Sequence, residues 1–306
     1  MTSAFLTIGT RGSPLALAQA HEVRRRLALR HAIGEERIAL LIIRTTGDMI
    51  QDRALSEAGG KGLFTKELDI ALLNGSIDIA VHSSKDLPTL MPDGIEISGY
   101  LPREDVRDAL VSSRAQSIRG LPQGATLGTA SLRRQAQVKR LRPDIKVALL
   151  RGNVETRLRK AESGEIDATL LAIAGMNRLG LAHRATALLD IDDFLPAVGQ
   201  GAIAIAARSG DIRTHGAIEG IFDTATGYAL AAERAFLAVL DGSCRTPIAG
   251  HARFSEGNVR FHGMVLRPDG SEIFEVHDSA AAGEAGAMGA RAGADLLARL
   301  PPGILP

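Results

Sequence analysis

The sequence has no tryptophan, two tyrosines, one cysteine and only six lysines in 306 residues. With aromatics at 3%, it offers few stacking platforms for single-stranded nucleic acid. One cysteine, Cys244, cannot form an internal disulfide, which argues against a stapled secreted scaffold. No run of 18 apolar residues occurs, so no membrane-spanning helix is predicted. Residues 1–20 carry Arg11 inside their apolar stretch and no basic region ahead of it, a poor match to a signal peptide. His251, His262 and His277 lack ligand spacing in sequence, and no metal site is expected. Neither a Walker loop nor a G-x-G-x-x-G fingerprint is present. A cytoplasmic protein without membrane or nucleic-acid partners is the expectation.

What is present is the composition of a folded chain long enough for two or three domains, 45% hydrophobic and 23% charged. Its 36 basic and 35 acidic side chains leave a net charge of +1, so no global field marks a nucleic-acid binder. That balance hides a cluster. Residues 131–160 hold ten basic side chains against Asp144 and Glu155 alone. A solvated face explains many of them. Arg133 and Arg134 are harder to dismiss, because they stand at a predicted helix start, where the macrodipole disfavours cations. Arg151 follows a predicted strand, at the edge where open α/β sheets bind ligands. Arginine at such places suits bidentate recognition of carboxylate or phosphate.

The pattern along the chain predicts α/β folding. Strands are expected at Phe5–Ile8, Ile38–Ile43 and Ile77–Val81. Ser13-Pro14 reads as a cap with proline in the first turn. Ala16, Ala20, Val23 and Leu27 then recur at helical spacing, as do Phe64, Leu68, Ala71 and Leu72. This β-α-β-α-β order predicts a mainly parallel sheet with helices on both faces. A second α/β unit follows, with strands at 108–111, 126–128, 147–150 and 168–173 and a basic helix from Ser131 to about Leu141. Pro102 and Pro196 bracket it, and Ile203–Ala207 is a strand able to return to the first sheet. The last third reads as a helix over 224–240, three hairpin-linked strands and a final Ala/Gly-rich helix, a small α+β domain.

Two Gly-bearing turns, at residues 9–14 and 128–131, offer free backbone N–H groups to an anion. Asp86 stands at the rim of the first sheet. It is either a structural cap or a carboxylate that stabilises a cation. At about 4 Å and an effective dielectric near 20, such a pair gains roughly 4 kcal/mol. Appearing only in the transition state, that is about three orders of magnitude in rate. Cys244 lies in a Gly/Ser loop beside Arg245, where either a small buried hydrophobe or a favoured thiolate is expected. From residues alone the chain is an anion binder. A solute-binding module and a regulatory nucleic-acid binder remain as other readings, separable by tight reversible anion binding and by DNA binding.

The ordered segments IGTRGSPLALAQ (8–19), GGKGLFTKEL (59–68), DIAVHSSKDLP (78–88), LGTASLRRQAQ (127–137), LRGNVETRL (150–158), PAVGQGAIAI (196–205) and DGSCRTPIAGHA (241–252) resemble the porphobilinogen deaminase, or hydroxymethylbilane synthase, family over nearly the whole chain. The resemblance implies two periplasmic-binding-protein-like α/β domains with an active-site cleft between them, and a small α+β C-terminal domain carrying the cysteine. Their bounds here would be 1–101 plus 197–218, 102–196, and 219–306. It implies a monomeric, cytoplasmic transferase of haem and tetrapyrrole biosynthesis. The enzyme joins four porphobilinogen molecules head to tail, releases ammonia and yields hydroxymethylbilane. A dipyrromethane cofactor, held by a thioether, would sit on Cys244. The resemblance assigns catalysis to Asp86 and cofactor contacts to Ser83, Lys85, Thr129, Ser131, Arg133 and Arg134. Substrate contacts fall to Arg11, Ser13, Lys61, Arg151, Arg157, Arg178 and Gln200. Each substrate unit brings an acetate and a propionate, which accounts for so many arginines. Glu57 stands where some relatives have a lysine, so no substrate contact is carried over to it.

Overall fold

The computed structural model describes residues 4–49, 62–240 and 246–305. The chain begins with β1 (Leu6–Thr10), α1 (Pro14–His31), β2 (Ile38–Ile42), α2 (Thr46–Met49), α3 (Lys66–Leu73), β3 (Ile79–Ser83) and β4 (Ile95–Tyr100). It continues with β5 (Asp108–Val111), β6 (Thr126–Gly128), α4 (Leu132–Leu141), β7 (Lys146–Ala148), α5 (Val154–Glu162), β8 (Ala168–Ala172), α6 (Ile173–Arg178) and β9 (Ala187–Leu188). It ends with β10 (Ile203–Arg208), α7 (Ile212–Ile218), α8 (Thr224–Val239), β11 (Ile248–Ser255), β12 (Asn258–Leu266), β13 (Ile273–Ala281) and α9 (Ala285–Arg299).

Local chemistry starts the helices where the sequence predicts. Ser13 Oγ accepts the Ala16 N–H at 3.3 Å, and Pro14 opens α1 without wasting a donor. Ala16, Ala20, Val23 and Leu27 form the buried stripe of α1. Ser131 Oγ caps α4 through the Arg134 N–H, and Asn153 Oδ1 caps α5 through the Thr156 N–H at 2.9 Å. Phe64, grouped with the next helical stripe, instead precedes α3.

The described residues fall into two compact units. One lies within 1–50, 60–104 and 202–227, the other within 105–201 and 228–306. The first unit holds a five-stranded sheet in the order β2-β1-β3-β10-β4. Ile79, Val81, Ile203 and Ile205 cover one face of it against Val23 and Leu27 of α1, while Ala80 and Ala206 meet Leu68 and Leu72 of α3 on the other. The expected return of β10 is borne out: Ile205 pairs with Val81. The second unit holds a sheet in the order β7-β6-β8-β5-β9 and a three-stranded meander, β11-β12-β13.

The expected mainly parallel sheet holds in strand direction, with one exception in each sheet: four of the five strands run the same way, and β10 or β5 is inserted against them. In each five-stranded sheet two of the four pairings are antiparallel, those of β10 with β3 and β4, and those of β5 with β8 and β9. Local β-α-β order fixes the parallel strands. The direction of an inserted strand depends on where the chain re-enters the sheet, which no local pattern encodes. Both sheets place their three parallel strands in the same first-strand-central order, a repeat of topology without a repeat of sequence.

Further boundaries differ. Strand β4 is not predicted, because Gly99 and a register shift at Ile205/Ala206 break its alternation. Strand β13 runs from Ile273 to Ala281, its far end pairing through polar Asp278 and Ser279. The three histidines spaced apart in sequence stand side by side across the meander: His251 faces His262, and His262 faces His277. The last two stack at 4.1 Å between ring centroids. Among the described residues no group of three or more His, Cys, Asp or Glu is placed to hold a metal, and no helix is long and apolar enough to cross a membrane.

Candidate functional site

In the first unit, the candidate residues gather where β1 and β3 end. Arg11 follows β1, and its guanidinium lies 4.2 Å from the centroid of the Phe64 ring. That placement holds a cation by its flat face and leaves its edge donors to other partners. Ser13 spends its hydroxyl on the α1 cap. Ser83 closes β3 and accepts a hydrogen bond from the buried Gln19 Nε2 at 2.8 Å. Lys85 and Asp86 lie in a single 3-10 turn, Ser84–Asp86, directly after β3. Asp86 is exposed, and its carboxylate accepts no hydrogen bond from the described residues. Just behind them His82 is 5% exposed, and its Nε2 has no hydrogen-bond partner. Burial, then the nearby Arg11 charge, push its pKa down to about 4.

In the second unit, the start of α4 makes a buried charge cluster. Arg133 and Arg134 are 5% and 6% exposed, far from the solvated face that a basic helix suggests. Each donates through Nη2 to a different oxygen of Asp108, both at 2.7 Å. Asp108 opens β5 and is fully buried. Burial alone would raise its pKa. The two guanidiniums outweigh that and hold it well below the usual carboxylate range. Burial and Arg134 pull Arg133 downward, against the pull of Asp108. Arg133 also donates Nη1 to Leu195 O at 2.7 Å. Gln200, fully buried, donates to Asp108 Oδ1 at 3.0 Å and to Val106 O at 2.8 Å. The helix-start arginines are thus tolerated because β5 delivers a carboxylate beneath them.

The remaining second-unit candidates surround loops. Thr129 Oγ1 accepts the Ser131 N–H at 3.1 Å, fixing the turn before α4. Arg157 Nε donates to Gly152 O, and Arg178 Nη2 donates to Gly201 O, both at 2.9 Å. Arg151 lies three residues beyond β7, half-buried. Lys61, Glu57 and Cys244 lie outside the described residues. Asp108, His82 and Gln19 are absent from the sequence-based set. Asp108 left one faint signal, a charged residue at the head of the apolar run DALV; only sheet register reveals its partners.

The cluster tests whether an anionic cofactor suits this chain. Two buried guanidiniums share one carboxylate, and the Nε–H groups of both have no acceptor. Buried cations need counter-charge and acceptors. The pair therefore fits one further carboxylate, the group that a dipyrromethane presents on its acetate and propionate arms.

Comparison with known proteins agrees. Residues 6–216 match the model of the porphobilinogen deaminase, dipyromethane cofactor binding domain, and residues 228–298 match that of the porphobilinogen deaminase C-terminal domain. The porphobilinogen deaminase of Nitrobacter winogradskyi is 60% identical over 298 residues, covering 97% of this chain and 94% of the relative. That of Nitrobacter hamburgensis is 59% identical over the same coverage. Among solved structures, a periplasmic substrate-binding protein of an ABC transporter from Coxiella burnetii covers 71% of this chain and 91% of its own, at 15% identity and a TM-score of 0.45. The two domain matches and the near-full-length identity show that the chain belongs to the porphobilinogen deaminase family.

Proposed function

We propose that Asp86 and the arginines of both units carry out, in this chain, the reaction of its family. That reaction makes hydroxymethylbilane from porphobilinogen in tetrapyrrole biosynthesis, with four units joined head to tail, one ammonia lost per unit, and one water hydrolysing the finished chain from the cofactor to give its hydroxymethyl end. Loss of ammonia from porphobilinogen leaves a cation delocalised over its pyrrole ring. Asp86 accepts the pyrrole N–H and offsets the developing charge. The observation that carries this role is the exposed Asp86 carboxylate, unspent on any described partner, at the turn after a central strand. Lys85 supplies a cation one residue away for a carboxylate arm.

The dipyrromethane group, when bound, supplies the pyrrole carbon to which the first substrate unit is joined. Cys244 is the residue we assign to its thioether. Ser83, Lys85, Thr129, Ser131 and Arg134 are assigned to hold its arms, with Arg133 fixed beside Arg134 between Asp108 and Leu195 O. Arg11, Ser13, Lys61, Arg151, Arg157, Arg178 and Gln200 are assigned to the substrate side. A charge-assisted hydrogen bond contributes about 1.5–3 kcal/mol. Several such bonds per ring orient a chain that gains two negative charges at every step. The reading extends to a monomer acting in the cytoplasm on a small soluble substrate, without nucleic-acid partners. The near-zero net charge supports the last point.

Asp86→Asn tests the assignment. It keeps shape and polarity but removes the charge. Turnover falls by about three orders of magnitude, the rate equivalent of roughly 4 kcal/mol, while porphobilinogen still binds. Turnover within a few-fold of the unsubstituted enzyme rejects Asp86 as the group that stabilises the cation.

A further inference from the structure

We propose that Asp108 is a positioning residue that aims Arg134 at a cofactor carboxylate, and that Arg133 is the strut of this arrangement. The proposal rests on the reading that Arg134 helps to hold the cofactor.

The two arginines are adjacent in sequence, yet the fold treats them differently. Arg133 is pinned from two sides, by Asp108 through Nη2 and by Leu195 O through Nη1. Leu195 is itself fixed by Gln137, which donates to its carbonyl at 3.0 Å and accepts its N–H at 2.8 Å. The Phe194 ring also lies beside Arg133, 5.8 Å from ring centroid to guanidinium carbon. Arg134 has one described side-chain partner, Asp108 Oδ1. Its orientation therefore depends on that oxygen, and its buried Nε–H, like that of Arg133, has no acceptor among the described residues.

Asp108 is equally constrained. Its Oδ2 faces Arg133, and its Oδ1 takes both Arg134 and Gln200. Gln200 is tied in turn to Val106 O, two residues before Asp108. The carboxylate can neither rotate nor leave without breaking several bonds at once. Its charge cancels one guanidinium, so the pair keeps one net positive charge, enough for one ligand carboxylate. With two charges uncancelled the guanidiniums repel each other. With none, the carboxylate arm has no partner.

The test follows cofactor acquisition by the full chain. Apo-enzyme, produced in cells unable to make porphobilinogen, is incubated with porphobilinogen, and the mass of the intact chain is followed with time. Asp108→Asn slows appearance of the adduct about tenfold or more, the fold-change of one lost charge-assisted hydrogen bond. Arg134→Met slows it to a similar extent, and adding Asp108→Asn to Arg134→Met slows it no further. Removing one partner of a buried ion pair also destabilises the fold. The double variant Asp108→Asn/Arg133→Met therefore restores a net charge of one to the cluster. It recovers thermal stability relative to Asp108→Asn but still acquires the adduct slowly.

Two results overturn the proposal. In one, Asp108→Asn acquires the adduct at the normal rate. In the other, the double variant recovers normal acquisition, which makes Asp108 a mere counter-ion of Arg133. A third result, normal acquisition by Arg134→Met, overturns the reading beneath the proposal, and the proposal falls with it.

Discussion

His82 sits on a central strand with its imidazole buried and Nε2 unpartnered, and its pKa is lowered from 6.5 to about 4. The folded chain keeps this ring neutral at pH values where the unfolded chain protonates it. Above about pH 6.5 the ring is neutral in both states and adds no pH dependence. As pH falls from 6.5 toward 4, the unfolded state binds the extra proton, and stability drops by up to about 1.4 kcal/mol per pH unit. At pH 4.5 the accumulated loss is about 2.5 kcal/mol. His262 acts in the same direction, lowered by burial first and by its stacked neighbour His277 second, with Glu275 opposing. Asp108 is not involved: its pKa is depressed, so its contribution is intact above about pH 4 and fades only below. Urea midpoints measured between pH 7.5 and 4.5 for the natural sequence and for His82→Gln check the argument. The variant should lose about 2–3 kcal/mol less over that range. Parallel pH profiles for the two proteins refute the claim that His82 is held neutral by burial.

Two further expectations concern the scaffold. Helices α8 and α9 approach so closely that a Cβ on Gly289 would collide with Ala232 O, a backbone atom. Gly289→Ala is predicted to destabilise the chain by about 2–3 kcal/mol, as overpacking does, read as a fall in the denaturation midpoint. A midpoint at or above that of the natural sequence contradicts the close packing. Asn153→Ala removes the α5 cap and is predicted to cost about 1 kcal/mol, with the Arg151–Arg157 segment exchanging its amide hydrogens faster. Unchanged exchange there denies the cap its role.

The sequence made legible what local chemistry decides. The helix starts at Ser13 and Ser131, the α1 stripe and the strands 108–111 and 126–128 emerge from spacing and turn residues. The motif set points to the family. What stayed hidden depends on register. Arg133 and Arg134 read as ligands on an open helix start. Their burial on Asp108 follows from β5 lying in the sheet beneath them, some 25 residues away in sequence. The histidine row across β11, β12 and β13 is invisible for the same reason. Strand β4 escaped because Gly99 accommodates the Phe222 ring, where any Cβ would collide with it. Sequence spacing reports neighbours along the chain, and the second-unit site is built from neighbours across it.

We propose that this chain carries a dipyrromethane on Cys244 and elongates it with porphobilinogen. The direct measurement is the intact mass of the purified protein beside that of Cys244→Ser, each assayed for porphobilinogen consumption and ammonia release. The natural sequence should weigh more than its 306 residues by one two-pyrrole unit, consume porphobilinogen and release one ammonia per unit consumed. Cys244→Ser should show the bare chain mass and no turnover. An active natural sequence of unmodified mass, or an adduct that persists in Cys244→Ser, contradicts the account.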